Sequence, residues 1–410
     1  MSQSLAKPLE EPAEPRLRLR WLVRGTVLTL AILSLWPSVA RSRAPLVVPA
    51  MSPFVAIASL VATGMFSLAG GLGLAMAAIV LVRRRWLCRW VCPTGTCAEM
   101  ASRMGARLGL RTPRLPAAGQ WIALATLGGA ALGYPVLLWL DPLALFSGAF
   151  TPLGPASGAA ARLGPIALAV LLLVSVAMPG AWCARLCPLG GTQELLFALR
   201  RLAPRWGGLR SDPSDHRAKW RGARRTVLAI GAGVAWAALT RKRRAAQAMP
   251  LRPPGAAAEE TFVGLCVRCG NCVRACPTRI IAPETGAYGL AGLLTPTLVF
   301  REDYCLETCT LCTQVCPSGA LTPLAPAEKR RAPIGRAQVD MELCLLAEDR
   351  ECAICRSRCP YDAITYVFSP ESYMVTPHID AARCPGCGAC EAACPTKPTP
   401  AIFVRRPHPS

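Results

Sequence analysis

Sixteen of the 21 cysteines fall after residue 265, and they repeat one figure four times. Cys266-x2-Cys269-x2-Cys272-x3-Cys276-Pro277 comes first, and Cys305-x3-Cys309-x2-Cys312-x3-Cys316-Pro317 second. Cys344-x7-Cys352-x2-Cys355-x3-Cys359-Pro360 and Cys384-x2-Cys387-x2-Cys390-x3-Cys394-Pro395 complete the set. Thiols at this density could form disulfides, zinc ribbons or iron–sulfur ligands. Zinc takes separated pairs and has no use for a third cysteine and a closing Cys-Pro. In the bacterial ferredoxin run, three closely spaced thiolates wrap one cubane and the fourth reaches the neighbouring cluster. The first and fourth figures follow that run at every position, so the spacing predicts four [4Fe–4S] clusters.

The other five cysteines lie before residue 200. Cys88-x3-Cys92-Pro93-x-Gly95-x3-Glu99 and Cys183-x3-Cys187-Pro188-x-Gly190-x3-Glu194 agree at five positions, each just past an apolar run. Two thiols cannot complete a cluster site, but two copies give four. Cys88, Cys92, Cys183 and Cys187 are therefore expected to hold a fifth cluster if the two helix ends meet. Arg83, Arg84, Arg85, Arg89 and Arg185 would offset its negative charge. Cys97 has no counterpart and reads as a spare buried thiol. Glu99 and Glu194 could take protons from a quinol, or sit in the first turn of a helix and pair with arginine. Asp141 is a further proton-acceptor candidate. No catalytic residue can be assigned. There is no Cys-x-x-Cys-His, and His216, His378 and His408 all lie outside the apolar runs, which leaves no haem in the bundle. Gly71-Leu72-Gly73 lacks the third glycine and the preceding strand of a dinucleotide site.

The elements that must position these thiols fall into two parts. Residues 1–248 carry 30 Lys and Arg against 8 Asp and Glu, and residues 249–410 carry 16 against 16. The whole basic excess thus accompanies the apolar runs, as it does in loops beside membrane helices, and no aromatic-interleaved basic face suggests nucleic acid. Trp21–Ala40, Leu60–Val82, Gln120–Leu140 and Gly164–Gly180 are each near the ~20 residues that a bilayer needs. Pro45–Ser59, with internal prolines, reads as loop or interfacial helix. Loops 83–114 and 182–225 are basic and loop 141–163 holds only Arg162, which places the first two in the cytoplasm. The expected fold is a polytopic α-helical membrane bundle followed by an α+β ferredoxin-like poly-[4Fe–4S] domain. Its expected parts are a cytoplasmic segment 1–20, a bundle 21–225, a signal-anchor-like helix and linker 226–258, and a four-cluster domain 259–410.

Thr226–Thr240 is short for a span, follows Arg224-Arg225 and precedes Ala246-Gln247-Ala248. An arginine pair before a weakly apolar run suits export of a folded, cluster-loaded domain. Residues after 241 would then lie outside, although the block Arg241–Arg244 opposes that crossing. A fifth cluster at the cytoplasmic face would in turn lie across the membrane from an external ferredoxin domain.

Residues 20–200 resemble the NapH/MauN family of membrane proteins through the doubled Cys-x3-Cys-Pro-x-Gly element. Residues 221–405 resemble the MauM/NapG type of periplasmic ferredoxin. The carrying features are Arg224-Arg225, Arg252-Pro-Pro-Gly-Ala256, Cys266-Val-Arg-Cys-Gly and the seven-residue gap after Cys344. The resemblance implies a quinol dehydrogenase component in a bacterial inner membrane, passing electrons from the quinone pool to a periplasmic cytochrome or reductase. It also implies that the first motif pairs with the fourth and the second with the third. Unlike the NapH type, this chain has no cytoplasmic ferredoxin motifs between the two parts. Two other readings fit the same residues: a redox-sensing or maturation factor without catalysis, and a membrane-anchored ferredoxin facing the cytoplasm.

Overall fold

The computed structural model describes residues 14–406 apart from 113–114, 154–158, 203–215, 245–248, 349 and 371–372. The Ala246-Gln247-Ala248 pattern and His408 lie outside the described residues. The front part is helical: α1 (Glu14–Ser34), α2 (Ala44–Ala50), α3 (Pro53–Thr63), α4 (Leu68–Val82), α5 (Trp86–Trp90) and α6 (Pro93–Arg107) come first. Then follow α7 (Ala118–Ala131), α8 (Pro142–Gly148), α9 (Leu163–Ala177), α10 (Pro188–Leu202) and α11 (His216–Arg244).

The apolar run Leu60–Val82 is not one helix. Gly64, at φ +65, ends α3, and Ser67 restarts the chain as the N-cap of α4 by accepting from Gly70 N–H. A left-handed glycine stops a helix at no steric cost and a serine cap satisfies a free N–H of the next one. Pro45–Ser59 is likewise mostly helical, and α2 and α3 meet at an 87° bend. Gln120–Leu140 is α-helical only as far as Ala131, with a single 3-10 turn at Leu138–Leu140, and Trp21–Ala40 only as far as Ser34. Among the described residues, Ala160–Ala177 alone is long and apolar enough to cross a bilayer, and α2 with α3 makes a second if the bent pair counts as one span. Helix length therefore falls short of the four expected spans, because glycines and X-Pro starts cut the runs.

The rear part holds six short helices, α12 (Glu259–Leu265), α13 (Asn271–Ala275), α14 (Leu311–Gln314), α15 (Pro326–Lys329), α16 (Ile354–Ser357) and α17 (Ala389–Ala393). Its strands are β1 (Ile281–Pro283), β2 (Pro296–Leu298), β3 (Arg336–Val339), β4 (Ile364–Ser369), β5 (Met374–Ile379) and β6 (Ile402–Arg405). They form three antiparallel pairs, β1 with β2, β4 with β5 and β3 with β6. The first pair lies between the first two cysteine motifs, and the β4–β5 hairpin lies between the last two. Each hairpin folds the chain back so that α13 packs on α14 and α16 on α17. Two ferredoxin units result, each built from adjacent motifs.

Helix α7 connects the two parts. At its start, a Cβ on Gly119 would lie 2.3 Å from the carbonyl oxygen of Cys187. At its end, Tyr134 lies against Gly264 of α12. Helix α11 runs alongside α7 in the same direction: Gly233 approaches the carbonyl of Ala125, and Arg241 donates to Leu132 O at 2.5 Å. Small residues permit this close approach. The contact with Cys187 and the contact with α12 thus lie at opposite ends of α7, a helix about 21 Å long at 1.5 Å per residue.

Candidate metal centres

Four small cavities in the rear part are each lined by four cysteines, three from one motif and the fourth from its sequence neighbour. Cys266, Cys269, Cys272 and Cys316 line the proximal cavity. Cys276, Cys305, Cys309 and Cys312 line the second. The third has Cys359, Cys384, Cys387 and Cys390, and the distal one Cys344, Cys352, Cys355 and Cys394. Space within them runs from about 310 to 410 Å³, open mouths included. The crossing-over of the fourth cysteine follows the ferredoxin rule. The pairing of motifs does not follow the family expectation: first goes with second and third with fourth. The reason is local, since each hairpin returns the chain to the motif just before it.

Among the described residues, no three His, Cys, Asp or Glu gather tightly enough to hold a single metal ion. The cysteines stand around a space instead, as a multi-iron cluster between them requires. Their electrostatics fit the same group. Burial pushes Cys266 up to about 11 and Cys269 and Cys387 to about 12. Without iron these thiols stay protonated, so the sites favour a cofactor that brings its own positive charge. Cys394 is the exception. Burial there is outweighed by the Thr396 hydroxyl, 3.1 Å from Sγ, and by backbone N–H groups, which together lower it.

The sites are adjacent in a series. Proximal and second share the first two motifs, and third and distal share the last two. Cys305 N–H donates to Cys387 O at 2.9 Å, which joins the second site to the third. Two buried cations sit beside the inner pair. Lys329, 5% exposed, donates to Leu306 O and to Cys309 O. Arg274, 2% exposed, bonds Ser147 Oγ at 2.9 Å, Asn271 Oδ1 at 2.5 Å and Leu35 O at 3.4 Å.

In the front part, the four expected cysteines come together. Cys92 and Cys187 are buried in one core, and Gln193, six residues past Cys187, bonds Cys88 Sγ. Four X-Pro helix starts converge on them. Cys92 caps α6 by accepting from Gly95 N–H at 3.2 Å, and Cys187 accepts from Gly190 N–H at 3.4 Å ahead of α10. Ser52 caps α3, and Asp141 caps α8 through Leu143 and Ala144 N–H. Ser52 Oγ donates to Asp141 Oδ1 at 2.6 Å, which ties the third and fourth starts together. Helix N-termini carry positive partial charge, which suits an anionic cluster.

Sequence reading found half of this symmetry. The repeated unit extends back to Ser52-Pro53 and Asp141-Pro142, whose N-cap-plus-proline signature is visible in the residues. Asp141 is therefore a capping residue, and its carboxylate is spent on three hydrogen bonds. Gln193 Nε2, 2.9 Å from Cys88 Sγ, and Arg24, which bonds Gly95 O at 2.9 Å and Thr96 Oγ1 at 3.2 Å, were not foreseen. Glu99 pairs with Arg20, Arg24 and Arg103, and Glu194 with Arg84 and Arg85, so both take the ion-pair role. Cys97 lies at the rim of the core and lines none of the rear cavities.

Helix α8 bridges the front thiols and the proximal site. Thr94, two residues past Cys92, bonds Pro142 O at 2.6 Å at its start. At its end Ser147 donates to Asn271 Oδ1 at 3.0 Å, and Gly148 lies against Arg268 O. Seven residues cover about 10 Å. Cys92, Cys187, Phe146, Val267 and Cys269 accordingly belong to one hydrophobic core. The separation expected between a front cluster and the ferredoxin part is thus bridged by a short inward helix.

The 4Fe-4S dicluster domain family matches residues 265–320 and 350–397, one stretch for each ferredoxin unit. A 4Fe-4S binding domain family matches residues 53–111 and 161–206, the two copies of the front repeat. The chain is 37% identical over 177 residues to the methylamine utilization ferredoxin-type protein MauM of Methylobacillus flagellatus, covering 42% of this chain and 75% of that one. It is 38% identical over 189 residues to MauM of Methylorubrum extorquens, covering 44% and 84%. Against the ferredoxin-type protein NapG of Escherichia coli it is 39% identical over 171 residues, covering 39% and 71%. No solved structure matches the chain. Two dicluster units, each with its four-cysteine cavities, indicate about four [4Fe–4S] clusters, and the chain belongs to the MauM/NapG family of ferredoxin-type iron–sulfur electron-transfer proteins.

Proposed function

We propose that the chain is a membrane-embedded electron conductor of a bacterial inner membrane, a NapH/MauN-like bundle fused to a MauM/NapG-type ferredoxin. It takes electrons from a lipid quinol and hands them to a periplasmic cytochrome or reductase. In this reading the sixteen rear cysteines hold four [4Fe–4S] clusters and Cys88, Cys92, Cys183 and Cys187 hold a fifth. Bound clusters supply one-electron transfer at potentials set by their surroundings. The protein's own part is spacing, insulation and charge balance. The observation that carries the proposal is the unbroken series of five four-cysteine groups from Cys88 to Cys344, linked by α8 and by the Cys305–Cys387 hydrogen bond. A redox sensor needs only one such group.

The packing of α7 and α11 supports this placement. The basic residues Arg83, Arg84 and Arg85 flank the front cysteines at one end of α7, and positive charge favours the cytoplasmic side. The ferredoxin units stand at the other end. The close packing of α11 on α7 supports an uncut anchor. Full-length protein purified anaerobically should carry about twenty irons with matching sulfide. A reduced quinol should bleach its visible iron–sulfur absorption. Reduction by dithionite but never by quinol would overturn the donor assignment, and a ferredoxin part reached only by cytoplasmic labelling reagents would overturn the placement.

A further inference from the structure

A large cavity lies between the front bundle and the proximal ferredoxin site. It holds about 1490 Å³ counting its open mouth, far more than any cysteine-lined cavity. One wall is α3 and the start of α4, and the opposite wall runs from Thr313 through Cys316 to Pro323. Cys316 is one of the four cysteines of the proximal site. The cavity thus touches the first iron–sulfur position of the ferredoxin part directly.

Its chemistry is uneven. Leu46, Leu60 and Leu74 make an apolar interior. Met65 and Phe66 are each 68% exposed at the rim and Leu68 96%, a mouth that suits lipid better than water. Polar groups stand on both walls. Gln314 Oε1 accepts from Arg43 Nη2 at 3.2 Å. Ser59 Oγ is buried and has no hydrogen-bond partner, which leaves a donor and acceptor free to meet a ligand. A mostly apolar pocket with a few polar groups binds a small polar ring on an apolar tail.

We propose that this cavity binds the headgroup of a prenylated quinol, with the Ser59 hydroxyl and the Arg43–Gln314 pair meeting its ring oxygens. This site rests on the reading that a lipid quinol is the electron donor. Oxidation of a quinol to its quinone releases two protons and two electrons. The protons leave to water past the exposed Arg43, and the electrons go one at a time to iron–sulfur centres held on the Cys316 side. A phospholipid could use the same tail space and the guanidinium. It would not need a partnerless hydroxyl in the same cavity as a cluster cysteine.

The test uses the full chain in phosphatidylcholine nanodiscs and a decyl-tailed azidobenzoquinone, with labelled peptides located by mass spectrometry. Label is expected within residues 56–74 and 313–323. Excess decylbenzoquinone should compete it away and added phospholipid should not. Ala69→Trp, which fills the cavity, should cut labelling at least tenfold, and Gln314→Leu several-fold, with iron content unchanged in both. Label elsewhere, label indifferent to both variants, or label displaced by phospholipid alone would overturn the site. The two proposals fail separately: wild type that labels here but is never reduced by quinol keeps the site and loses the donor reading. Quinol reduction that survives Ala69→Trp without label keeps the donor reading and loses the site.

Discussion

The two ferredoxin units share one cysteine figure and differ in what surrounds it. In the unit beside the bundle, Cys269, Cys276 and Cys312 are buried, and Arg274 and Lys329 are buried with them. In the outer unit Cys387, Cys390 and Cys394 are buried as well, but among the described residues no cation is buried with them. The other five cysteines of each unit, Cys344, Cys352, Cys355 and Cys359 included, are half-buried. Leu343, Ile354, Val367 and Phe368 are 42, 37, 50 and 54% exposed in the outer unit. The motif fixes where a cluster can sit, and the side chains buried beside it fix the charge it meets. A buried cation beside a cluster favours its more negative, reduced form, so charge separates the two units where cysteine burial does not.

The largest expected effect tests how the units are divided. Cys276→Ala should remove the cluster of Cys305, Cys309 and Cys312, a loss of about four irons. The outer unit should keep its clusters, although electrons from the inner end should no longer reach them. Mössbauer and EPR spectra of the anaerobic variant would check this. Disappearance of the Cys384, Cys387 and Cys390 cluster instead would restore the pairing of first motif with fourth. Cys394→Ala, the mirror experiment, should cost only the distal cluster.

A smaller effect is expected from removing a cation on each side. Arg274→Met leaves Leu35 O without its donor and takes one bond each from Ser147 and Asn271, which keep each other. A buried group left without its bond costs roughly 1–3 kcal/mol. The junction between α8 and α13 should open first, seen as faster hydrogen exchange there and slower quinol-driven reduction of the rear clusters. Arg383→Met removes an exposed ion pair with Asp380, side chains 64 and 45% exposed. Such pairs contribute about 0–1 kcal/mol, so little should change. Equal losses from both variants would erase the contrast between the units.

Much of this arrangement was legible in the residues, and the gaps have physical causes. All sixteen rear cysteines, and the crossing of each fourth one, follow from spacing, because the cubane imposes it. Motif pairing does not, since it depends on the β1–β2 and β4–β5 returns, which are too short to announce themselves. The meeting of Cys88, Cys92, Cys183 and Cys187 followed from the repeat. Its extension to Ser52 and Asp141 did not, because a single N-cap and proline is a weak signal until the helices are seen to converge. Apolar composition also hid the break at Gly64. A run of the right length and hydropathy says nothing of a left-handed residue inside it.

The smallest expected effect separates sites that composition makes look alike. Three of the rear motifs close with Cys-Pro and then Thr or Ser: Thr278, Ser318 and Thr396. The Thr396 hydroxyl lies 3.1 Å from Cys394 Sγ, whereas Thr278 and Ser318 stand 3.6 and 3.8 Å from Cys276 and Cys316. Because Thr396 Oγ1 also accepts from Ala401 N–H at 2.8 Å, its own proton is free for the sulfur. A hydrogen bond to a cluster thiolate stabilises the reduced form, which carries one more negative charge, and so raises the potential. Thr396→Val should therefore lower the potential of the distal cluster, while Thr278→Val and Ser318→Ala move theirs less. Thr396→Ser should restore the wild-type value, which separates the lost hydroxyl from any change in packing. An anaerobic redox titration followed by EPR reads each centre in turn. If Thr396→Ser behaves like Thr396→Val, the hydroxyl has no part in setting the potential, and the short Thr396–Cys394 contact is packing alone.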